Sequence, residues 1–175
     1  IILNASPLST GSYNSSENKI REWLFQQDLV ESIIQLPNSL FYNTPLKTYI
    51  WILNKNKSVE RKNKLQLIDA SENYEKLIKN LNNKTKEISD NLISEIYKEY
   101  INFKETEKSK ILDYEDISYN VYKLEIQGST NRKYIEFVNN KISKEDYFSL
   151  AQDVFGKENC KVTDLEKNYW VIYFN

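Results

Sequence analysis

Apolar residues in the first 71 positions form short continuous runs. Residues 29–36 and Thr48–Leu53 are apolar stretches bounded by Pro, Asn and Lys, and residues 65–69 are another strand candidate. Runs of this length between such boundaries are typical of strands that are buried on both faces of a sheet. Residues 1–4 predict the end of a further buried strand, and a loop follows over residues 6–12.

The polar stretch before residue 29 predicts a helix. Ser15 or Ser16 is suited to cap its first turn. One face of the helix would carry Ile20, Trp23, Leu24 and Gln27. Strands and a helix joined by short links favour an α/β sheet that is covered on both faces.

The pattern changes after Ser71, where residues 72–105 are highly charged. From Ser89 and Asp90, which are suited to cap a helix, apolar residues recur on one stripe: Leu92, Ile93, Ile96, Tyr97, Tyr100 and Ile101. We therefore predict an amphipathic helical segment over residues 72–108. Two interpretations remain open, since the stripe can pack on its own domain or dock a partner subunit.

The last part of the chain, residues 109–175, predicts an extension that is partly strand. Strands are expected within 117–126 and at 169–174, and a helix over Lys144–Phe155 would end at Gly156, a residue suited to the C-cap. The predicted organisation is α/β, in three segments: 1–71, 72–108 and 109–175.

Composition narrows the function classes. The 175 residues include 24 basic and 25 acidic ones, whereas a purely electrostatic nucleic-acid binder has a basic excess. Any DNA contact would then come from a local surface or a larger assembly. Cys160 is the only cysteine and histidine is absent, which excludes a disulfide framework, a zinc site and a Ser–His or Cys–His pair within the chain.

Two further expectations concern location and completeness. No apolar run approaches the ~20 residues that span a bilayer, so we expect a protein of the reducing cytoplasm. The chain has no Met and opens on a strand-like run, which indicates a piece of a longer protein.

Recognisable catalytic patterns are few. Gly11, Gly128 and Gly156 are the only glycines and none belongs to a G-x-G pair, so the chain has no nucleotide fingerprint. Its acidic residues form no paired-carboxylate or metal-ligand pattern. The loop between the two apolar strands carries Phe41 and Tyr42. These aromatics can pack in the core, or they can form a platform on which an unstacked base lies.

Six ordered runs in the chain resemble the modification (methylase) subunit of type I restriction–modification systems. They are ILNASPLSTG (2–11), IREWL (20–24), DLVESIIQLP (28–37), LFYNT (40–44), TYIWILNK (48–55) and QLIDAS (66–71). The match is dense over residues 1–71 and fades through 109–111, and residues 127–175 do not align.

The resemblance implies an adenine-N6 DNA methyltransferase that uses S-adenosylmethionine and is built on a Rossmann-like sheet. The family's cofactor glycines and its Asn-Pro-Pro-aromatic catalytic motif precede the matched region, so this chain is expected to hold no catalytic, cofactor-binding or metal-binding residue. By position in the motif, Phe41 would stack on the target adenine, with Tyr42 as the second candidate. The implied partners are DNA, the specificity subunit, a second modification subunit and the restriction subunit.

Two residues depart from the family pattern. Pro45 stands where the family commonly has Gly, and proline fixes φ near −65° and lacks an N–H. A turn that needs a left-handed residue there would have to change. Ser9 replaces an aromatic after Pro7 and Leu8.

Three functional hypotheses follow. The first is an inactive fragment of the modification subunit, with its cofactor side missing. The second is a non-catalytic module that docks the DNA-specificity subunit. The third is a degenerate, stand-alone structural protein.

Overall fold

A computed structural model describes residues 1–4, 11–128, 130–172 and 174. Its strands are β1 (Ile2–Asn4), β2 (Val30–Gln35), β3 (Thr48–Leu53), β4 (Lys64–Asp69), β5 (Glu75–Leu81), β6 (Lys84–Glu87), β7 (Ser109–Asp113), β8 (Ser118–Ile126), β9 (Arg132–Asn139) and β10 (Cys160–Trp170). Its α-helices are α1 (Ser16–Gln26), α2 (Asp90–Asn102) and α3 (Lys144–Phe155). Short 3-10 turns lie at Val59–Arg61 and Tyr114–Ile117.

The central element is a five-stranded sheet in the order β1-β3-β2-β4-β7. β2 and β4 run parallel, with Gln35 opposite Asp69, and the other neighbours are antiparallel. The predicted strands at 29–36, 48–53 and 65–69 are therefore confirmed, as is the α/β class. The fifth strand, β7, comes from beyond residue 71, and the division of the chain at 71 and 108 stays a prediction.

Both faces of the sheet are covered, as predicted. Ile33 and Trp51 point into one core, with Phe25 of α1 and Trp170 of β10, whose rings stack at 5.0 Å between centroids. Ile34 belongs to the core on the opposite face, where α2 packs. Alternate residues of one strand thus serve two cores, which is why these strands are apolar at nearly every position.

The capping residue of α1 is Ser15, whose Oγ accepts a hydrogen bond from the N–H of Asn18 at 3.1 Å. The predicted apolar face of this helix is wrong in part. Trp23 is 55% exposed and Ile20 is also exposed. The buried side of the helix carries Asn18, Arg21, Leu24 and Phe25.

That buried side is partly polar because its groups are satisfied by distant backbone. Asn18 Nδ2 donates to the carbonyl oxygen of Asn168 at 2.8 Å, and Arg21 donates to that of Gly11 at 2.9 Å. A buried polar side chain with such partners need not cost stability. Helical periodicity alone cannot identify such a face.

The predicted helical segment 72–108 is wrong over its first half. Residues 75–87 form an antiparallel hairpin, β5–β6, and only Asp90–Asn102 is helical. Asn82 adopts a left-handed φ of 55° at the turn, a conformation that Asn tolerates and that a right-handed helix cannot include. The high charge of the segment reflects an exposed two-stranded ribbon.

Arg61 fastens α2 to the sheet. Its guanidinium donates to Glu31 Oε1 at 3.1 Å and to the backbone carbonyl of Tyr100 at 2.6 Å. The Tyr100 hydroxyl donates to the same Glu31 oxygen at 2.8 Å, and the Phe103 ring lies 4.3 Å from the guanidinium carbon. Arg61 therefore pairs a buried carboxylate and satisfies a carbonyl that the helix end leaves free.

A second buried cation holds the start of β2. Lys57 Nζ donates to Asp28 Oδ1 at 2.6 Å and to the Tyr114 hydroxyl at 2.7 Å. The Tyr114 hydroxyl in turn donates to the carbonyl of Val30 at 2.7 Å. Burial lowers the pKa of Lys57 and raises that of Tyr114.

The extension forms a three-stranded sheet in the order β10-β8-β9, with α3 packed beside β10. The predicted helix over Lys144–Phe155 is confirmed, and Gly156 follows it with a φ of 83°. The strand predicted at 169–174 is wrong in position, because β10 spans Cys160–Trp170 and ends as the chain turns into the main core.

Two sequence-based expectations remain open. The loop over 6–12 and the Ser9 departure involve residues 5–10, which lie outside the described residues. Among the residues that are described, no helix is long and apolar enough to cross a bilayer.

Candidate functional site

The loop between β2 and β3 leaves the sheet at the carboxyl end of β2. Its base is closed by a hydrogen bond from the Leu36 N–H to the Thr48 carbonyl at 2.8 Å. Phe41 and Thr44 form an isolated antiparallel bridge at its tip, and the Leu46 N–H donates to Thr44 Oγ1 at 3.1 Å. These contacts fold residues 41–46 into a tight turn.

The turn presents both predicted aromatics to solvent. Phe41 is 38% exposed and Tyr42 is 54% exposed, whereas the neighbouring Leu40 packs into the α2 core. Leu40 therefore supplies the packing that a loop of this kind needs, and the two aromatic rings remain open to a ligand.

The turn does not need a left-handed residue at position 45, so Pro45 fits there. Between residues 36 and 47, the positive φ belongs to Ser39, at 56°. The chain reverses through the Phe41–Thr44 bridge, so the fixed φ of Pro45 is accommodated after the reversal.

The floor of the site is a small polar group where the two parallel strands end. Gln35 and Asp69 are paired terminal residues of β2 and β4, and Gln35 Nε2 donates to Asp69 Oδ1 at 3.2 Å. The Tyr49 hydroxyl donates to Gln35 Oε1 at 3.4 Å. Burial, and then the nearby Asp69 charge, raise the pKa of Tyr49. In open α/β sheets this edge is where ligands bind.

The β5–β6 hairpin, which stands where the sequence predicts helix, borders the aromatic loop. The Asn83 N–H donates to the Tyr42 carbonyl at 3.2 Å, and the Thr85 N–H donates to the Ser39 carbonyl at 3.0 Å. Lys86 Nζ adds a 2.6 Å hydrogen bond to Asn38 Oδ1. The outer edge of β6 thus fixes the backbone that carries the aromatics.

Two lysines of the hairpin lie against aromatic rings. Lys84 Nζ is 5.7 Å from the ring centroid of Tyr42, and Lys86 Nζ is 3.7 Å from that of Tyr74. The signal for this arrangement was present in the sequence as an Asn82-Asn83 turn between two short lysine-rich stretches.

The described residues hold no group of His, Cys, Asp and Glu that is arranged for a metal ion. The site as it stands is an aromatic surface with polar and cationic neighbours. Such a surface is suited to holding a planar group attached to a polyanion.

Comparisons with known proteins agree with this geometry. Residues 1–137 match the family model for N-6 DNA methylase. The chain is 40% identical over 129 residues to the type I restriction enzyme MjaVIII methylase subunit of Methanocaldococcus jannaschii, and this covers 72% of the chain. It is 42% identical over 62 residues, or 35% of its length, to the HindI methylase subunit of Haemophilus influenzae. That match covers 14% of the relative.

The fold has a solved counterpart. The methyltransferase subunit of a type I restriction-modification system from Streptococcus thermophilus superposes on 66% of the chain with a TM-score of 0.57 and 23% sequence identity, covering 23% of that subunit. The chain spans about a fifth of the length of the M. jannaschii relative, 21%. The resemblance stated from the sequence is confirmed, and the family match extends well beyond residue 71.

Proposed function

This chain belongs to the N-6 DNA methylase family, and from that premise we propose that it forms the target-base side of the modification subunit in a type I restriction–modification system. In this role the protein transfers a methyl group from S-adenosylmethionine to adenine N6 in DNA. The observation that carries the proposal is the exposure of Phe41 and Tyr42 on a fixed turn at the carboxyl edge of the sheet.

The aromatic turn would hold a base that has left the duplex. A base must be extruded before an enzyme can modify its ring substituents, and stacking on an aromatic side chain contributes about 1–3 kcal/mol. We assign the stacking face to Phe41, with Tyr42 as the second candidate. The hydrogen bonds to the Tyr42 and Ser39 carbonyls keep the turn from rearranging when the base arrives.

The residues present do not suit the cofactor. The backbone of the protein must come close to the nucleoside part of S-adenosylmethionine, and glycine-rich turns allow this in sheets of this class. The chain has only three glycines, and they are isolated from one another. We therefore assign S-adenosylmethionine binding and the catalytic motif to sequence outside this chain, and we expect the isolated chain to be inactive. The chain's 21% share of its relative's length supports this.

The proposed partners are DNA, the specificity subunit, a second modification subunit and the restriction subunit. A second function, as a non-catalytic module that binds the specificity subunit through α2, is favoured by one observation. Ile93, Tyr97 and Ile101 stay exposed on α2, and the first two line an apolar groove of about 530 Å³. Ile96 and Tyr100 pack against the sheet and also line this groove, so the exposed Ile93 and Tyr97 are the positions at which docking can be tested without disturbing the core.

The stacking role is tested by Phe41→Ala in the full-length methylase assembled with its specificity subunit. Loss of 1–3 kcal/mol predicts a fall in the methylation rate of between about fivefold and about 150-fold. Phe41→Trp should retain most of the rate. Leu46→Ala is the matched control, because Leu46 is an exposed apolar residue of the same loop without an aromatic face.

A rate for Phe41→Ala within twofold of the parent would overturn the stacking role. The enzymatic context has a separate test in the gene. An Asn-Pro-Pro-aromatic motif upstream of Ile1, after a glycine-rich turn, supports the methyltransferase, while a start codon immediately before Ile1 supports the stand-alone structural protein.

A further inference from the structure

The hairpin beside the aromatic loop has a local excess of positive charge. Residues 75–87 contain four lysines and two glutamates, in a chain whose net charge is −1. β5 is exposed at six of its seven residues, and its central Ile78 is fully open to solvent, while Lys84 and Lys86 of β6 are half-buried. The charge excess therefore lies on a ribbon that solvent can reach.

The placement of these lysines lowers the stability of the hairpin. Lys76 and Lys86 are direct cross-strand partners, and like charges in that relationship destabilise a sheet. Within the described residues, no carboxylate lies in ion-pair distance of Lys76, Lys79, Lys84 or Lys86, although six other cations have such partners. An anionic ligand would remove this repulsion.

Two of these lysines, Lys84 and Lys86, contact the aromatic loop. Alternate residues of a strand share a face, so Lys84 lies on the face that carries Lys86 and its partner Lys76. Lys84 Nζ lies over the Tyr42 ring and Lys86 Nζ binds Asn38. Lys86 is thus occupied in holding the loop, while Lys76 and Lys84 have ammonium groups available to a ligand.

We propose that Lys76 and Lys84 bind the phosphodiester backbone of the DNA strand that carries the extruded base. The inference rests on the proposed function, because a base lying on Phe41 or Tyr42 brings its flanking phosphates along the hairpin. Lysine is suited to this as a compact charge on a flexible stem. Phosphate contacts fix the position of a DNA strand but carry no sequence information. Such contacts are therefore compatible with a separate subunit that reads the DNA sequence.

The test is the salt dependence of DNA binding by the assembled methylase and specificity subunit. Each phosphate contact contributes about 0.9 to the slope of log K against log salt concentration. The double variant Lys76→Ala/Lys84→Ala should lower the slope by about 1.8, equally on DNA with and without the recognition sequence. Lys76→Arg/Lys84→Arg should restore the slope of the parent.

The matched control is Lys157→Ala/Lys161→Ala, which removes the same charge from two exposed positions beside and within β10 of the three-stranded sheet. An unchanged slope in the hairpin variant, or an equal fall in the control, would overturn the proposal. Failure of the hairpin variant to retain the specificity subunit would also overturn it, in favour of a protein contact. Because Phe41→Ala is read as a rate and the hairpin variants as a salt slope, failure of either hypothesis is distinguishable from failure of the other.

Discussion

Arg61 and Tyr100 are joined twice, once through backbone and once through a shared carboxylate. The guanidinium donates to the Tyr100 carbonyl at 2.6 Å, while both side chains donate to Glu31 Oε1. The pair couples the last turn of α2 to β2, the strand that leads into the aromatic loop. This buried cation thus adds a polar link to the apolar packing of the helix on the sheet.

Replacing Arg61 by Met should destabilise the protein by about 3–5 kcal/mol, because Glu31 would be left buried without its cationic partner. Urea denaturation followed by circular dichroism measures the loss. The double variant Arg61→Met/Glu31→Leu is the comparison, and it should recover a substantial part of the stability. If the double variant is as unstable as the single one, the ion pair is not the source of the loss.

Protein stability should fall as pH rises from about 10 to about 12. Burial, followed by the hydrogen bond to Glu31, raises the pKa of Tyr100 to about 12. A folded-state pKa above the unfolded value near 10 means that the contribution is complete below pH 10 and is lost as pH rises through the folded pKa. The urea midpoint of Tyr100→Phe should decline less steeply across this window. Parallel curves for the two proteins would assign the decline to other groups.

The two sides of α2 should respond differently to charge. Ile96→Asp places a carboxylate against the sheet core and should cost about 2 kcal/mol or more. Ile93→Asp, one helical turn earlier and exposed, should change stability by about 0.5 kcal/mol or less. Thermal unfolding of the two variants tests the difference.

The same pair of variants addresses docking. If α2 binds the specificity subunit, Ile93→Asp combined with Tyr97→Asp should prevent copurification of that subunit while the methylase stays folded. If the double variant still copurifies with the specificity subunit, the docking hypothesis is wrong.

The turn of the hairpin should tolerate glycine and reject a β-branched residue. Asn82 has a φ of 55°, where Gly is unstrained and Val is strongly disfavoured. Asn82→Val should therefore lower stability by about 1–2 kcal/mol, and Asn82→Gly should leave it within about 1 kcal/mol. Because the hairpin holds the Tyr42 carbonyl, hydrogen exchange at the loop should accelerate in Asn82→Val. Unchanged exchange there would mean that the hairpin does not restrain the loop.

Three strands of the main sheet, β2, β3 and β4, could be predicted because their signal is local. Apolar side chains dominate each strand and serve both cores, as Ile33 and Ile34 do in β2. The loop aromatics were located by the same reasoning. What they contact could not be derived, because the hairpin that borders them starts about 30 residues later.

The two failures have different causes. The buried side of α1 includes Asn18, whose partner is the carbonyl of Asn168, 150 residues away, and local periodicity carries no information about such a partner. The charged residues of the hairpin fit either helix or strand, and the local turn at the left-handed Asn82 decides between the two structures.

The stacking of Phe25 on Trp170 has a consequence for synthesis of the protein. A ribosome adds about 5–20 residues per second, so on the order of ten seconds separate the appearance of these two rings. During that interval Phe25 can pack against Tyr114 but lacks the stacked ring of Trp170, so one side of its ring stays open to other apolar surfaces. Docking of β10 is therefore expected to be a late folding event, and the period before it is when the chain depends most on chaperones.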